Sequence, residues 1–516
     1  MICEGGLVGK QTGMFSDPGA QVATEAPLRG GARIALLALS IGVLSIAVPV
    51  ALISDIPDSG RSDAWIVTLL IMIYGGIRLS VTWVSGRPHL FDFFFWIFGY
   101  IFMGLAPTAQ IRADAVSTTT PGIDSAFDLP TAGIVALGIG CYEIARAAWM
   151  LRQHSHPPRT VRVPRAVGPV RAIALAVIGL GISAFFVVQL GPAAALGSRE
   201  AAFDAREARW PDPAVRAVMY AAAVYPLLIA TGAMAQLRRA ATSRAARIAY
   251  TSAAVAAAVV LLLIVNPIAS ARYTFGTVAV ALAIFAGAAA TRLRARVTML
   301  GAIVAFLFLF PIADAFRTDE VRVNRTSFFG EYLANPDYDA FWQVANSLAY
   351  WLDGLVEPAR QFLGSMLFWV PRAVWADKPT DTGIVLAEYR GYTFDNLSAP
   401  LWAEAMVNGG VIAVIVVFAG LGLLLRAMDV RIVSAFPTGG VWAIVGAVLP
   451  VYMTILMRGS LLQATGATTV MIACLILVAG RLGSPGDEGS GDAASGDAQL
   501  GVAAPVPGDR AGESAP

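Results

Sequence analysis

The chain has 516 residues, of which 57% are hydrophobic and 14% charged, with a mean hydropathy of +0.66. Repeated apolar stretches of about 20 residues, joined by short arginine-bearing connections, exclude a single soluble core and call for bilayer-spanning helices. A formal net charge of +2 gives no basis for nucleic-acid binding, because the basic residues cluster beside apolar segments as orientation signals do.

In chain order, residues 1–31 are Gly-rich and polar, with no apolar run behind a basic start, and are expected to form a disordered tail and not a signal peptide. Spans are expected at 32–54, 64–83, 90–111 and 130–150. The third is loaded with phenylalanine, which suits packing or the membrane interface better than a ligand cage. The connection 151–171 carries Arg152, Arg159, Arg162, Arg165 and Arg171 among prolines. Further spans are expected at 172–191, 214–235, 248–266, 273–290 and 297–315, which closes a block of nine over 32–315. A long polar interval, 316–408, follows. Three more spans, 409–426, 438–456 and 460–480, bring the count to twelve, and residues 481–516 have too little apolar content to fold.

Arginine placement predicts the orientation. Beyond the basic 151–171 connection, Arg238, Arg239, Arg244 and Arg247 follow span six, Arg292, Arg294 and Arg296 follow span eight, and Arg426 and Arg431 follow span ten. Arg87 follows span two. In the odd-numbered connections Arg61, Arg112, Arg272 and Arg458 stand singly, and the fifth offsets its arginines with acids. The excess of positive charge on the cytoplasmic side then puts both termini in the cytoplasm and the 316–408 interval outside. The expected fold is an all-α polytopic membrane protein of about twelve transmembrane helices, with a large extracytoplasmic loop between spans nine and ten.

Within that loop Phe341, Ala345, Leu348, Leu352 and Val356 recur at helical spacing, which predicts short helices lying against the membrane surface or the bundle. Pro371, Pro379, Gly383 and Gly391 divide the remainder into short pieces. The loop also gathers Arg360, Arg372, Arg390 and Lys378, one of only two lysines, with Asp377, Asp381, Glu388, Asp395 and Glu404. Arginine grips a phosphate with two parallel donors and lysine adds a compact charge, so the set suits a diphosphate carried to the membrane by a lipid. The plain alternative for any one of these residues is a solvated face.

Arg272 and Arg458 come from short outer connections and are placed to face the same cavity. Arg458 lies between two closely spaced apolar segments, where a charge is costly unless it is paired, faces a cavity or reaches water. Glu404 precedes span ten. Held there on a rigid element it suits proton abstraction from a sugar hydroxyl, with Asp377 and Glu388 as alternatives. Its plain reading is a helix N-terminal acid or a partner for an arginine.

Cysteine and histidine narrow the chemistry. Cys3, Cys141 and Cys474 lie outside the loop, and His89, His154 and His156 fall on the inferred cytoplasmic side. Neither a thiolate nor a histidine metal site is suggested in the loop, and no Walker-type phosphate loop is present. No cofactor is called for, because energy would come with the substrate through a diphosphate leaving group, or from an ion gradient.

The segments VPRAVWADKP at 370–379, GY at 391–392, APLWAEAMVNGG at 399–410, YMTILMRGSL at 452–461 and FGYIFMGLAPTAQI at 98–111 carry a resemblance. Along most of its length the chain resembles the oligosaccharide repeat-unit polymerases, the Wzy type that includes O-antigen and exopolysaccharide polymerases. The resemblance implies a glycosyltransferase at the outer face of the bacterial cytoplasmic membrane. Such enzymes move a growing glycan from undecaprenyl diphosphate onto the nonreducing end of a fresh lipid-linked repeat unit, among membrane lipids and alongside a repeat-unit flippase and a chain-length regulator. By matching motifs, Arg372 and Lys378 take the PR and KP positions, Glu404 the acidic position and Arg458 the RG position. Arg372, Glu404 and Arg458 are then the expected catalytic set, with Arg272, Arg360, Asp377, Lys378, Glu388 and Arg390 around the substrate. The related O-antigen ligases are associated with an outer-loop histidine, which this chain lacks.

Other readings stay open. A flippase for lipid-linked saccharides explains the spans and predicts discontinuous helices with paired charges near the midplane. A lipid-phosphosugar-dependent glycosyltransferase would use acids of the first outer loop, here Asp55, Asp58 and Asp63. A purely structural membrane partner is the third.

Overall fold

The computed structural model describes residues 30–155, 166–195, 197–211, 213–310, 328–394 and 397–480. The tails expected at 1–31 and 481–516 therefore fall almost wholly outside the described residues, as do residues 156–165 of the arginine-rich connection, the start of the 316–408 interval and Asp395.

The chain is an all-α, multi-pass membrane protein. Ten helices among the described residues are long and apolar enough to cross a membrane: Gly30–Asp55, Ala64–Ser85, Leu90–Arg112, Ser125–Gln153, Pro169–Leu190, Val215–Ala240, Arg244–Ile264, Leu401–Thr438, Val441–Arg458 and Leu461–Val478. The segment expected as a span at 273–290 is a shorter helix, and the one expected at 297–315 is described only as far as residue 310. Arg272–Phe285 has 14 residues and stops before a turn containing Gly287, whose φ is 107°. The next helix begins at Arg292, so Arg292, Arg294 and Arg296 occupy its first turns instead of preceding it, and it passes into a π-helical stretch at Ala305–Leu309. Against the twelve spans expected, ten helices among the described residues are long and apolar enough to cross a membrane. Among the described residues the only β contact is an isolated antiparallel bridge between Val167 and Ala479.

Leu90–Arg112 is the mast of the bundle. Every residue along it is buried, as expected of a helix apolar on all sides. Lipid tails are as apolar as side chains, so packing and internal hydrogen bonds, not water exclusion, hold such helices together. Phe95 stacks on Tyr142 at 3.8 Å and Phe98 on Trp402 at 6.2 Å. At Gly104 a Cβ would stand 2.8 Å from Cα of Met72, so only glycine permits that approach. The phenylalanine-rich segment is interior packing.

The two ends of this mast differ. Near its start, Asp92 meets Arg78 at 3.0 Å and Arg146 at 3.2 Å, and accepts from the Tyr142 hydroxyl at 2.9 Å. Arg78 also binds Glu143 at 2.9 Å. Asp429, buried in the Leu401–Thr438 helix, accepts the main-chain N–H groups of Phe91 and Asp92 at 3.0 Å each and caps the mast. At the other end Gln110 accepts from the Trp342 indole at 2.8 Å and donates to the carbonyls of Tyr332 and Tyr338. This ties the mast to the 328–394 region, whose helices are Gly330–Ala334, Ala340–Leu352, Arg360–Met366 and Thr382–Arg390. Ala340–Leu352 buries Phe341, Trp342, Val344, Ala345 and Leu348. Of the two placements expected for it, the structure selects the bundle.

The Leu401–Thr438 helix is broken. Gly409 and Gly410 leave helical geometry, with φ/ψ of 174°/23° and 61°/−150°. The positive φ at Gly410 suits glycine, and a Cβ there would lie 2.3 Å from Nε1 of Trp351. The break frees the Asn408 carbonyl, which accepts the Ala359 N–H at 2.8 Å, while Oδ1 of Asn408 accepts from Phe362 N–H at 2.9 Å. Backbone groups released at membrane depth need such partners. The NGG sequence thereby docks the start of the Arg360–Met366 helix onto the broken span.

Candidate functional site

The turn that follows Arg360–Met366 folds around its lysine. Lys378 Nζ donates to the carbonyls of Phe368 and Val370, the latter at 3.1 Å, and Arg372 Nη1 donates to the Lys378 carbonyl at 2.8 Å. Two cations are thus held side by side by main-chain oxygens, and among the described residues neither pairs with a carboxylate. Partial burial, then the positive charge of Arg372, push the Lys378 ammonium below its usual pKa. Arg360 is more compensated. It pairs with Glu357, donates to the Asp377 carbonyl at 2.8 Å and stands 3.7 Å from the Asp377 carboxylate.

These groups enclose a cavity of about 280 Å³, lined by Glu357, Arg360, Asp377 and Lys378 with Tyr350 and Val407 on its apolar walls. Arg372 stands behind Lys378, one hydrogen bond from the lining. Of the residues expected around a lipid diphosphate, Arg360, Asp377, Lys378 and Arg372 are gathered here.

Arg272 and Arg458 form a second centre. Both grip Asp337, Arg272 at 2.7 Å and Arg458 at 3.1 Å, and Arg458 Nε donates to the Asp337 carbonyl at 3.1 Å. Arg458 also lies 3.6 Å from Asp339. Burial pushes the Asp339 carboxyl up, against the pull of Arg458 and of the Ser398 N–H, which donates to it at 3.0 Å. Rings cover the two guanidiniums, Phe310 at 4.6 Å from Arg272 and Tyr273 at 5.6 Å from Arg458. The two arginines expected to face one cavity share one carboxylate.

Glu404 is buried. One carboxylate oxygen accepts the Thr382 hydroxyl at 2.9 Å, and the other accepts the Leu461 N–H at 2.9 Å. It therefore caps the Leu461–Val478 helix, where a negative group meets the positive end of the helix dipole, and pins the Thr382–Arg390 helix. Its neighbour one turn on, Val407, reaches the cavity wall.

Arg390 and Glu388 lie elsewhere. Arg390 donates to the Gly122 carbonyl at 2.7 Å, beside Tyr392, whose hydroxyl binds the Pro121 carbonyl. Glu388 is exposed. In the first connection Asp55, Asp58 and Asp63 are not buried; Asp58 lies 3.7 Å from Arg112, and none of the three lines the 280 Å³ cavity. Among the described residues no group of three or more His, Cys, Asp or Glu side chains is placed to hold a metal ion.

Local sequence patterns do not single out Asp337 and Asp339, which pair the two outer arginines. Arg78, Asp92, Glu143, Arg146 and Asp429, at the far end of the mast, were equally absent from the expected site. Arg78, Asp92, Glu143 and Arg146 are ionisable residues inside expected spans, a signal that the sequence does carry, whereas Asp429 falls in the expected connection after span ten. Compared with protein-family models, with curated proteins and with solved structures, the chain matches none of them.

Proposed function

We propose that this membrane protein is a glycosyltransferase that polymerises undecaprenyl-diphosphate-linked oligosaccharide repeat units at the outer face of the bacterial cytoplasmic membrane. The observation that carries the reading is the Arg372–Lys378 pair, two adjacent cations that among the described residues meet only carbonyls, beside a cavity that Lys378 and Arg360 line. Such cations retain donors and charge for an anion, and a diphosphate leaving group gains negative charge as the sugar bond breaks. Lys378 and Arg360 would hold the diphosphate, with Arg372 fixing Lys378 and adding its field. Arg458 and Arg272, already shared on Asp337, would orient the neighbouring segment. Glu404 would brace the site.

In the same reading the expected twelve spans include Arg272–Phe285 and Arg292–Val304, both termini are cytoplasmic, and the 316–408 interval is the outer loop.

The test is the glycan length formed in liposomes from purified protein and defined lipid-diphosphate repeat units, with no nucleotide added. Multi-unit products that disappear in a folded Arg372→Ala or Lys378→Ala variant support the proposal. Full polymerisation by both folded variants would sink it.

A flippase for the same lipids is the second reading, and two observations favour it: the break at Gly409–Gly410, and the paired charges Arg78, Asp92, Glu143 and Arg146 inside spans. Substrates that cross the bilayer in those liposomes but remain single units would select it.

A further inference from the structure

We infer that the 351–375 segment is a wedge sunk into one leaflet of the bilayer, with Leu363, Met366 and Trp369 in contact with lipid chains, instead of a loop standing in water. The inference holds whichever reaction the cavity serves. Its first support is depth. The Leu461–Val478 helix has 18 residues, so at 1.5 Å per residue it is about 27 Å long, barely enough for a hydrocarbon core of about 30 Å. Leu461 must then sit at the boundary of that core. A Cβ at Gly466 would lie 3.7 Å from the Phe368 ring, and Gly466 is about 7 Å farther along the helix axis. Phe368 therefore packs on the last span below the boundary, next to Trp369.

The second support is a separate anchor on another span. Trp351 packs its indole against Gly410 at the break in Leu401–Thr438, and Asn408 of that helix takes the N–H groups of Ala359 and Phe362. The segment is clamped to two spans and cannot swing clear of them.

The third is the surface it presents. Met366 is 73% exposed and Trp369 68%, and Leu352, Leu355 and Leu363 are exposed as well. The two spans that hold it also present exposed apolar residues, Ile412 and Val416 on one and Ile472 and Ile476 on the other. An apolar ridge of this kind in water would be unstable or adhesive; an interfacial segment with an exposed tryptophan, here Trp369, suits the headgroup boundary.

The experiment uses the full chain with Cys3, Cys141 and Cys474 replaced by serine. Leu363→Cys, Met366→Cys and Trp369→Cys variants are made singly, labelled with an environment-sensitive fluorophore and reconstituted into phosphatidylcholine vesicles. Glu388→Cys, on the helix that ends beside Gly122, is the reference. Doxyl groups carried on shallow lipid positions are expected to quench 363, 366 and 369 several-fold more than 388, and aqueous iodide to show the reverse order. Iodide quenching of all four positions alike would overturn the inference. Protection of the three from both quenchers would also overturn it, in favour of a second copy of the chain covering the ridge. The three exposed positions are read independently, so failure of one variant to fold leaves the other two to decide.

Discussion

Near the start of the Leu90–Arg112 mast, Arg78, Asp92, Glu143 and Arg146 are matched guanidinium to carboxylate between 2.9 and 3.5 Å, whereas at the opposite end, among the described residues, Arg372 and Lys378 meet only carbonyls. The first arrangement neutralises its charges inside packed spans, where an unpaired ion is expensive, and leaves little capacity for anything else. The second is half-open and keeps its charge uncompensated. Charge density alone does not separate structure from function in this protein; the identity of the partner does. The Asp337 centre is intermediate, with two arginines on one carboxylate.

The comparison can be broken from either side, and the largest effect is expected in the paired cluster. Asp92→Ala leaves Arg78 and Arg146 to share Glu143 alone, and removing one partner of a buried ion pair costs about 3–5 kcal/mol, to be measured as loss of thermal stability in detergent. If Asp92→Ala and Arg372→Ala destabilise equally, the distinction fails.

Next comes the open pair. Arg372→Ala changes stability by no more than about 0.5 kcal/mol, and in the proposed polymerisation Lys378→Ala costs on the order of 10²-fold, the scale of losing a donor at a site of developing charge, with Arg372→Ala costing less because it acts through Lys378. Lys378→Arg keeps the charge and loses the compact fit, so a partial defect is expected in the same glycan-length assay.

Glu404 sharpens the line between bracing and chemistry. Glu404→Ala leaves the Thr382 hydroxyl and the Leu461 N–H without their acceptor and should cost about 1–3 kcal/mol. Glu404→Gln can still accept from Leu461 and is expected to restore both stability and product. A folded Glu404→Gln variant without product would instead make Glu404 the base.

The last test is of pH at the paired end. His89 sits between two spans; burial, with Arg426 nearby, pushes its imidazole down to about 4 from the usual 6.5. The folded protein holds it neutral while the unfolded chain takes up a proton first, so stability present above pH 6.5 is lost as pH falls toward 4. The loss is at most about 3 kcal/mol. Thermal midpoints of the parent and His89→Asn at pH 7 and pH 5 should diverge, with the parent falling more.

Much of the helical architecture was legible in the chain. Ala64–Ser85, Leu90–Arg112 and Leu461–Val478 begin and end close to the apolar runs that predicted them, because length and hydropathy are local properties read against a bilayer of known thickness. The 273–290 and 297–315 segments were harder, since arginines at 292, 294 and 296 lie within a helix in place of bounding it. In the candidate site, PRAVWADKP announced a basic turn, and Arg360 and Lys378 line one cavity while Arg372 reaches only the Lys378 carbonyl. Glu404 was legible as an acid at a helix start, but not that it caps a different helix. Asp337 and Asp339 were not legible because nothing in their local pattern marks them; their meaning is the arrival of Arg272 and Arg458 from other connections.

By itself, then, the sequence determined that the chain spans a membrane, that its structure is helical, where most spans lie and where polar chemistry is concentrated. Each of these follows from composition and periodicity within a window of some twenty residues. Only the tertiary structure decided which charges are neutralised and which remain open. Asp429 caps the helix that begins at Leu90, and Glu404 caps the one that begins at Leu461. A hydrogen bond or ion pair is settled over about 3 Å, while the groups it joins are brought together by helices packing across hundreds of residues of chain.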